Sequence, residues 1–326
     1  MTDNTELEEH IAHIAQLLGA ARAEIGRVLV GQRYLVDRLF VGLLSNGHVL
    51  VEGVPGLAKT TAIKALADSL DLEFGRIQFT PDLLPADVIG TQMYQPATSA
   101  FTTHKGPVFT HVLLADEINR SPAKVQSALL QAMQERQVTI GETTWSLPQP
   151  FLVLATQNPI EQEGTYPLPE AQADRFMLKL SVSYPDLDDE LEIIRRSALP
   201  IAQPTPKASL DELLQAQQVA REIHVAEPLM RYIVDVVRAT RDPGSIDASL
   251  ARSIEYGASP RASIALAAAA RAYALLDGRT FALPEDVKAM APDVLRHRIL
   301  PTYEAEADGI DAEALVAQIL NSVEMH

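Results

Sequence analysis

Apolar positions follow two rhythms along this chain. Leu7, Ile11, Ile14 and Leu18 fall at helical spacing and predict an amphipathic N-terminal helix. Short runs rich in aliphatic residues come next: His48-Val49-Leu50-Val51 before Glu52, Val112-Leu113-Leu114-Ala115 before Asp116-Glu117, Phe151 to Thr156 before Gln157-Asn158-Pro159, and Met177 to Val182. Their length, and the polar or turn-forming residues that end them, predict buried strands. Thr60 to Leu66 opens a helix directly after the first. Arg136 to Trp145 alternates around Gly141 and reads as a hairpin, whereas Phe79 to Gly90, with turn-rich text on to Lys105-Gly106-Pro107, is too broken for one plain helix. Beyond Tyr184-Pro185-Asp186 only helical periods remain, through Glu190 to Ile194, a Pro-rich stretch from Pro200 to Pro206, and Ala262 to Leu276 stopped by Gly278. These patterns predict an α/β core with a parallel sheet over residues 1–184 and a smaller all-α domain over residues 185–326.

Between the first predicted strand and its helix lies Gly53-Val54-Pro55-Gly56-Leu57-Ala58-Lys59-Thr60, followed by Thr61. The pattern Gly-x-x-x-x-Gly-Lys-Ser/Thr cradles phosphate: glycines let successive N–H groups converge on oxygen, lysine supplies charge, and the hydroxyl ligates Mg²⁺ at a helix N-terminus that favours anions. Ala58 stands where the pattern asks for glycine, and ordinary helical angles are expected of it if the helix begins there. A plain Gly/Pro turn before a helix is the alternative for this loop.

The strand ending in Asp116-Glu117 strengthens the phosphate reading. Its first acid suits Mg²⁺ held at the end of a strand, and its second suits a general base for the attacking water, although a solvated acidic turn would look similar. Asn158 follows a third strand and would emerge at the nucleotide edge of the sheet, where an amide can position water; without its neighbours it is equally a turn former before proline.

Taken in chain order, these elements resemble the AAA+ ATPases, and further text narrows the likeness to their MoxR group, part of the clade that carries a helix-2 insertion and includes magnesium chelatase subunits. Gly-Val-Pro-Gly-Leu-Ala-Lys-Thr is the loop spelling of that group. Asp116 to Arg120, Pro122 to Gln126, Ala155 to Pro159, Glu163 to Gln172 and Asp174-Arg175-Phe176 are similar to its Walker B, sensor 1 and arginine-finger blocks. The likeness covers roughly residues 25–300. It implies a three-layer core with an all-α lid, ATP as substrate with Mg²⁺, and assembly into a homo-oligomeric ring of six. Lys59, Glu117 and Asn158 would act in cis, and Arg175 would reach the γ-phosphate held by a neighbouring subunit; the alternative is a structural pair with Asp174 or Asp186. Arg261 resembles sensor 2 in the lid, or is a solvated arginine opening an alanine-rich helix. Val30 and Gly31 would lie beside the adenine, or simply in the core. Residues 79–107 and the hairpin correspond to the two insertions of the clade, and packing is favoured over partner anchoring for Trp145. Arg120 stays open between an intersubunit contact and a charge following its strand. A partner with a von Willebrand A-type domain and chaperone-like action on client proteins are implied as well.

Composition narrows the partners. The net charge is −16, with neither half of the chain basic, so a protein client is favoured over nucleic acid. A DNA-directed motor and a slow nucleotide switch or scaffold remain as alternatives. With no cysteine, disulfides and cysteine-ligated metals are excluded. The polar, acidic start and the lack of a long apolar run give the expectation of a cytoplasmic protein without an integral membrane segment.

Overall fold

The computed structural model describes residues 2–54, 56–158, 165–198 and 202–325. A five-stranded parallel sheet organises the first half, built from β1 (Val49–Glu52), β2 (Phe74–Gln78), β5 (Val112–Asp116), β8 (Leu152–Gln157) and β9 (Leu178–Ser181) in the order β2-β5-β8-β1-β9. Period-2 alternation buries both faces. Val49, Val51, Leu114, Leu154 and Leu180 enter one core cluster, while Leu50, Leu113, Ala115, Val153 and Ala155 enter the other. Helices α1 (Thr2–Val28), α2 (Arg33–Leu44) and α3 (Lys59–Ser69) supply the first cluster, and α5 (Ala123–Glu135) the second. Ile11, Ile14 and Leu18 line the buried side of α1, as their spacing predicts; the side chain of Leu7 lies outside the described set.

Two segments leave this frame, where two insertions are expected from the sequence. The first comprises a short helix, α4 (Pro85–Ile89), and an antiparallel hairpin of β3 (Gly90–Gln95) and β4 (Ala100–Lys105). The second is the hairpin β6 (Gln137–Ile140) and β7 (Thr143–Ser146), which turns at Gly141 with φ 63°. Trp145 is half-buried against the second core cluster, with the Lys105 ammonium 4.3 Å from its ring centre. A one-turn helix, α6 (Glu170–Ala173), precedes β9.

Among the described residues the remainder is helical apart from a small antiparallel pair and an isolated bridge between His224 and Phe281. It contains α7 (Leu187–Ser197), α8 (Leu210–Glu222), α9 (Glu227–Ala239), α10 (Ala248–Ser253), α11 (Pro260–Leu276), α12 (Pro284–Leu295), α13 (Tyr303–Ala307) and α14 (Ala312–Ser322), with β10 (Ile254–Tyr256) paired to β11 (Leu300–Pro301). Leu213, Leu229, Leu266, Val287 and Leu315 of these helices belong to the same core cluster as α1, α2 and one sheet face. No described helix is long and apolar enough to cross a membrane.

Candidate functional site

Parallel strands deliver their C-terminal ends to one edge of the sheet, the usual place for a ligand in an open α/β fold. At that edge a cleft of about 460 Å³ is lined by Gly53, Gly56 to Thr61, Asp116, Glu117, Thr156, Gln157 and Asn158. The sequence predicted this meeting of Lys59, Thr60, Asp116, Glu117 and Asn158. Of the other loop positions, Val54 packs toward the core and Pro55 lies outside the described residues. Gly56, which lines the cleft, has φ 91° and no atom beyond its chain neighbours within 4 Å of where a Cβ would stand.

Ala58 departs from expectation. It is not helical: with φ 54° and ψ 24° it occupies the left-handed region as the residue capping α3. The turn demands there the conformation for which glycine is the cheapest residue, and Ala58 adopts it with strain.

Lys59 Nζ donates to the Gly53 carbonyl at 2.6 Å. Burial draws the Lys59 pKa below its ordinary value, while the charges of Asp116 and Glu117 oppose that shift. Asp116 is tied on both oxygens. Thr156 Oγ1 donates to Oδ1 at 2.7 Å and Arg76 Nη2 to Oδ2 at 2.7 Å. Glu117, at φ 56°, donates its backbone N–H to Thr156 Oγ1 at 2.8 Å, and its Oε2 accepts from Gln78 Nε2 at 3.0 Å and from Arg120 Nη1 at 3.1 Å. Thr156 thus fixes the two acids relative to each other, and the structure pairs Arg120 with Glu117. The oxygen donors of Thr60 and Asp116 are the hard ligand type that Mg²⁺ prefers.

Comparisons with known proteins agree with this geometry. Residues 48–178 match the model for the ATPase family associated with various cellular activities (AAA), and residues 247–319 match the AAA lid domain. Chaperone MoxR1 of Mycobacterium tuberculosis is 51% identical over 97% of this chain and 84% of its own length. The chain belongs to the MoxR family of AAA ATPases. Protein MoxR of Paracoccus denitrificans is 33% identical over 93% of each chain, and the uncharacterized protein YeaC of Bacillus subtilis 44% identical over 95% of each. A crystal structure of a Cytophaga hutchinsonii protein, 48% identical, superimposes with TM-score 0.94 over 100% of both chains.

Not every predicted residue of this MoxR chain reaches the cleft. Val30 and Gly31, expected beside the adenine, line a separate cleft of about 580 Å³ between α1, α2 and α7. Asp189 is packed on Gly31 so closely that a Cβ there would lie 2.2 Å from a carboxylate oxygen. Arg261 also lies away from the phosphate cleft, and beside it lies Arg175, which is expected to serve a neighbouring subunit's cleft and not its own. They line a small cavity of about 170 Å³ with His48 and Met133. His48 precedes β1, so this cavity is at the N-terminal ends of the strands, roughly 13 Å of strand rise from the phosphate loop. Asp174 pairs there with Arg261 and Arg298, not with Arg175. Glu163 and Gly164 of the finger block, with Pro159, fall outside the described residues.

Sequence reasoning missed Arg76, Gln78 and Thr156 as partners of the two acids. Arg76 and Gln78 belong to β2, an edge strand whose exposed polar positions alternate with Gly75 and Ile77 and give no apolar run to detect. Their cue was proximity, which only the β2–β5 pairing of Gln78 with Asp116 supplies.

Proposed function

We propose that this protein is a Mg²⁺-dependent ATPase that assembles into a ring of six and remodels client proteins. The convergence of Lys59, Thr60, Asp116, Glu117 and Asn158 in one cleft carries the reading. Lys59 and the backbone N–H groups of the loop hold the phosphates, and Thr60 with Asp116 holds the ion. Mg²⁺ would neutralise charge on the phosphate oxygens. Glu117 takes a proton from the attacking water, which Asn158 orients. To do so Glu117 must be released at least in part from Gln78 and Arg120. Arg175 serves a neighbouring subunit, where its guanidinium balances charge on the transferring phosphoryl group. Its position at the far ends of the strands supports service in trans.

Protein clients are favoured by the net charge and by exposed Met93, Tyr94 and Phe101 on the β3–β4 hairpin, where the Tyr94 and Phe101 rings lie 5.3 Å apart. The relative named as a chaperone supports the same class of action. A von Willebrand A-domain protein is the partner that family resemblance implies, and a cytoplasmic setting fits both. The test is Glu117→Gln, which should bind ATP as wild type does while turnover falls about a thousandfold. Turnover at the wild-type rate would remove Glu117 as the base.

A further inference from the structure

The segment that carries Arg175 is fastened from the lid. Arg298, following α12, has a side chain only 3% exposed. Its Nε donates to Asp174 Oδ1 at 2.6 Å and its Nη2 to the carbonyls of Asp174 at 3.1 Å and Phe176 at 2.8 Å. Nη1 donates to the Met177 carbonyl at 3.1 Å. His297 Nε2 adds a bond to the Phe176 carbonyl at 3.0 Å. Backbone on both sides of Arg175 is therefore held by two consecutive lid residues.

Asp174 closes the arrangement. While its Oδ1 takes Arg298, its Oδ2 lies 3.4 Å from Arg261 Nη1 and 3.5 Å from Ser259 Oγ, both at the start of α11. One carboxylate thus joins two separate parts of the lid immediately before Arg175. The Arg298 guanidinium spends its donors on this segment and on the Val294 carbonyl in the last turn of α12. A lysine offers a point charge without the planar fork and could not reproduce the set.

We infer that Arg298 is a positioning residue for Arg175, acting through Asp174 and the backbone of residues 174–177, so that the lid of one subunit sets the reach of its finger into the next. This rests on the trans role given to Arg175 above. A finger works by geometry, and displacement of about 1 Å at a reacting centre costs on the order of a hundredfold in rate. Because the subunit that loses positioning keeps its own phosphate cleft, the loss falls on kcat and leaves KM for ATP alone.

The test compares ATP turnover by assembled full-length Arg298→Lys, Asp174→Asn, Arg175→Ala, and the doubles Arg298→Lys/Arg175→Ala and Asp174→Asn/Arg175→Ala. Expected for Arg298→Lys is a kcat lower by tenfold to about a hundredfold with KM within about twofold of wild type, no further loss in the double beyond Arg175→Ala, and recovered turnover on mixing with Glu117→Gln subunits. Asp174→Asn, nearly isosteric, carries the same test with its own double if Arg298→Lys melts early. Wild-type kcat in both single variants, or losses that multiply with that of Arg175→Ala, would overturn the inference while leaving the finger intact. Wild-type kcat in Arg175→Ala would instead remove the finger reading on which it stands.

Discussion

Two residues lining the phosphate cleft hold left-handed backbone without being glycine: Ala58 at φ 54° and Glu117 at φ 56°. Such conformations cost about 1–3 kcal/mol each and persist where surrounding contacts enforce them. For Glu117 the enforcement is visible in the bonds from Thr156, Gln78 and Arg120. For Ala58 it comes from the turn that delivers Lys59 to the Gly53 carbonyl. Glycine would relieve the strain at Ala58 but give back roughly 0.5–1 kcal/mol of chain entropy. Ala58→Gly should therefore keep unfolding free energy within about 1 kcal/mol of wild type, while Ala58→Val, β-branched at positive φ, should lose about 2 kcal/mol or more. Urea unfolding of the pair decides it; equal stability of the valine and glycine variants would mean that the left-handed turn is not required. At this scale the sequence disclosed Lys59, Thr60, Asp116, Glu117 and Asn158 of the cleft, but neither the part of Thr156 nor the backbone states of Ala58 and Glu117. Residue types and spacing announce a phosphate loop, whereas the angle at Ala58 depends on how the loop closes over Lys59.

Strands were easiest to read where both sheet faces are buried, since continuous apolar runs such as Val112 to Ala115 leave little else to predict. The β3–β4 hairpin was harder. Its strands, Gly-Thr-Gln-Met-Tyr-Gln and Ala-Phe-Thr-Thr-His-Lys, face no core and carry no alternation, so only the break in helical pattern was visible. The start of β1 depends on one buried side chain. His48 Nδ1 accepts from the Val153 N–H of β8 at 3.0 Å, and Nε2 faces the Met133 carbonyl of α5 at 3.2 Å, a pattern that only the neutral ring with its proton on Nε2 satisfies. Burial, reinforced by the nearby Arg136 charge, pulls its pKa from 6.5 down to about 3. The unfolded chain takes up a proton below pH 6.5 and the folded chain does not, so this contribution is complete above pH 6.5 and is lost as the pH falls from there toward 3. His297, lowered by its burial and by Arg298, has the same sign. Each should erode stability by about 1.4 kcal/mol per pH unit at full slope, beginning before the carboxylates titrate. Denaturant titrations between pH 7 and 5 should show this loss, with a shallower slope in His48→Gln. An unchanged slope in that variant would mean that His48 is not the group responsible.

At the scale of the whole molecule, one apolar core extends across residue 184, the boundary expected from the sequence. Helices on both sides of it share one apolar cluster, since Leu35, Leu39 and Leu43 of α2 belong with Leu213, Leu266 and Leu275 of α8 and α11. A buried charge pair crosses the same junction. Arg38 Nε donates to Asp293 Oδ2 at 2.6 Å, with the two side chains 9% and 2% exposed, and Arg38 Nη2 reaches the Ala289 carbonyl at 2.8 Å. Tyr34 donates to the other oxygen of Asp293, and Arg296 approaches it at 3.2 Å. Pattern reading could not find this pair, because Arg38 sits among apolar residues of a helix whose partner is some 250 residues away. Removing one member of a buried pair strands the other in low dielectric at a cost of about 3–5 kcal/mol. Arg38→Ala should fall at or below the low end of that range, since Arg296 and Tyr34 still attend Asp293. Because the pair and the cluster join the α/β part to the helices, calorimetry should record one cooperative transition that moves as a whole to lower temperature in Arg38→Ala. Two separable transitions, only one of them shifted, would show that the helical part folds independently and that the shared cluster is a contact between domains, not a common core.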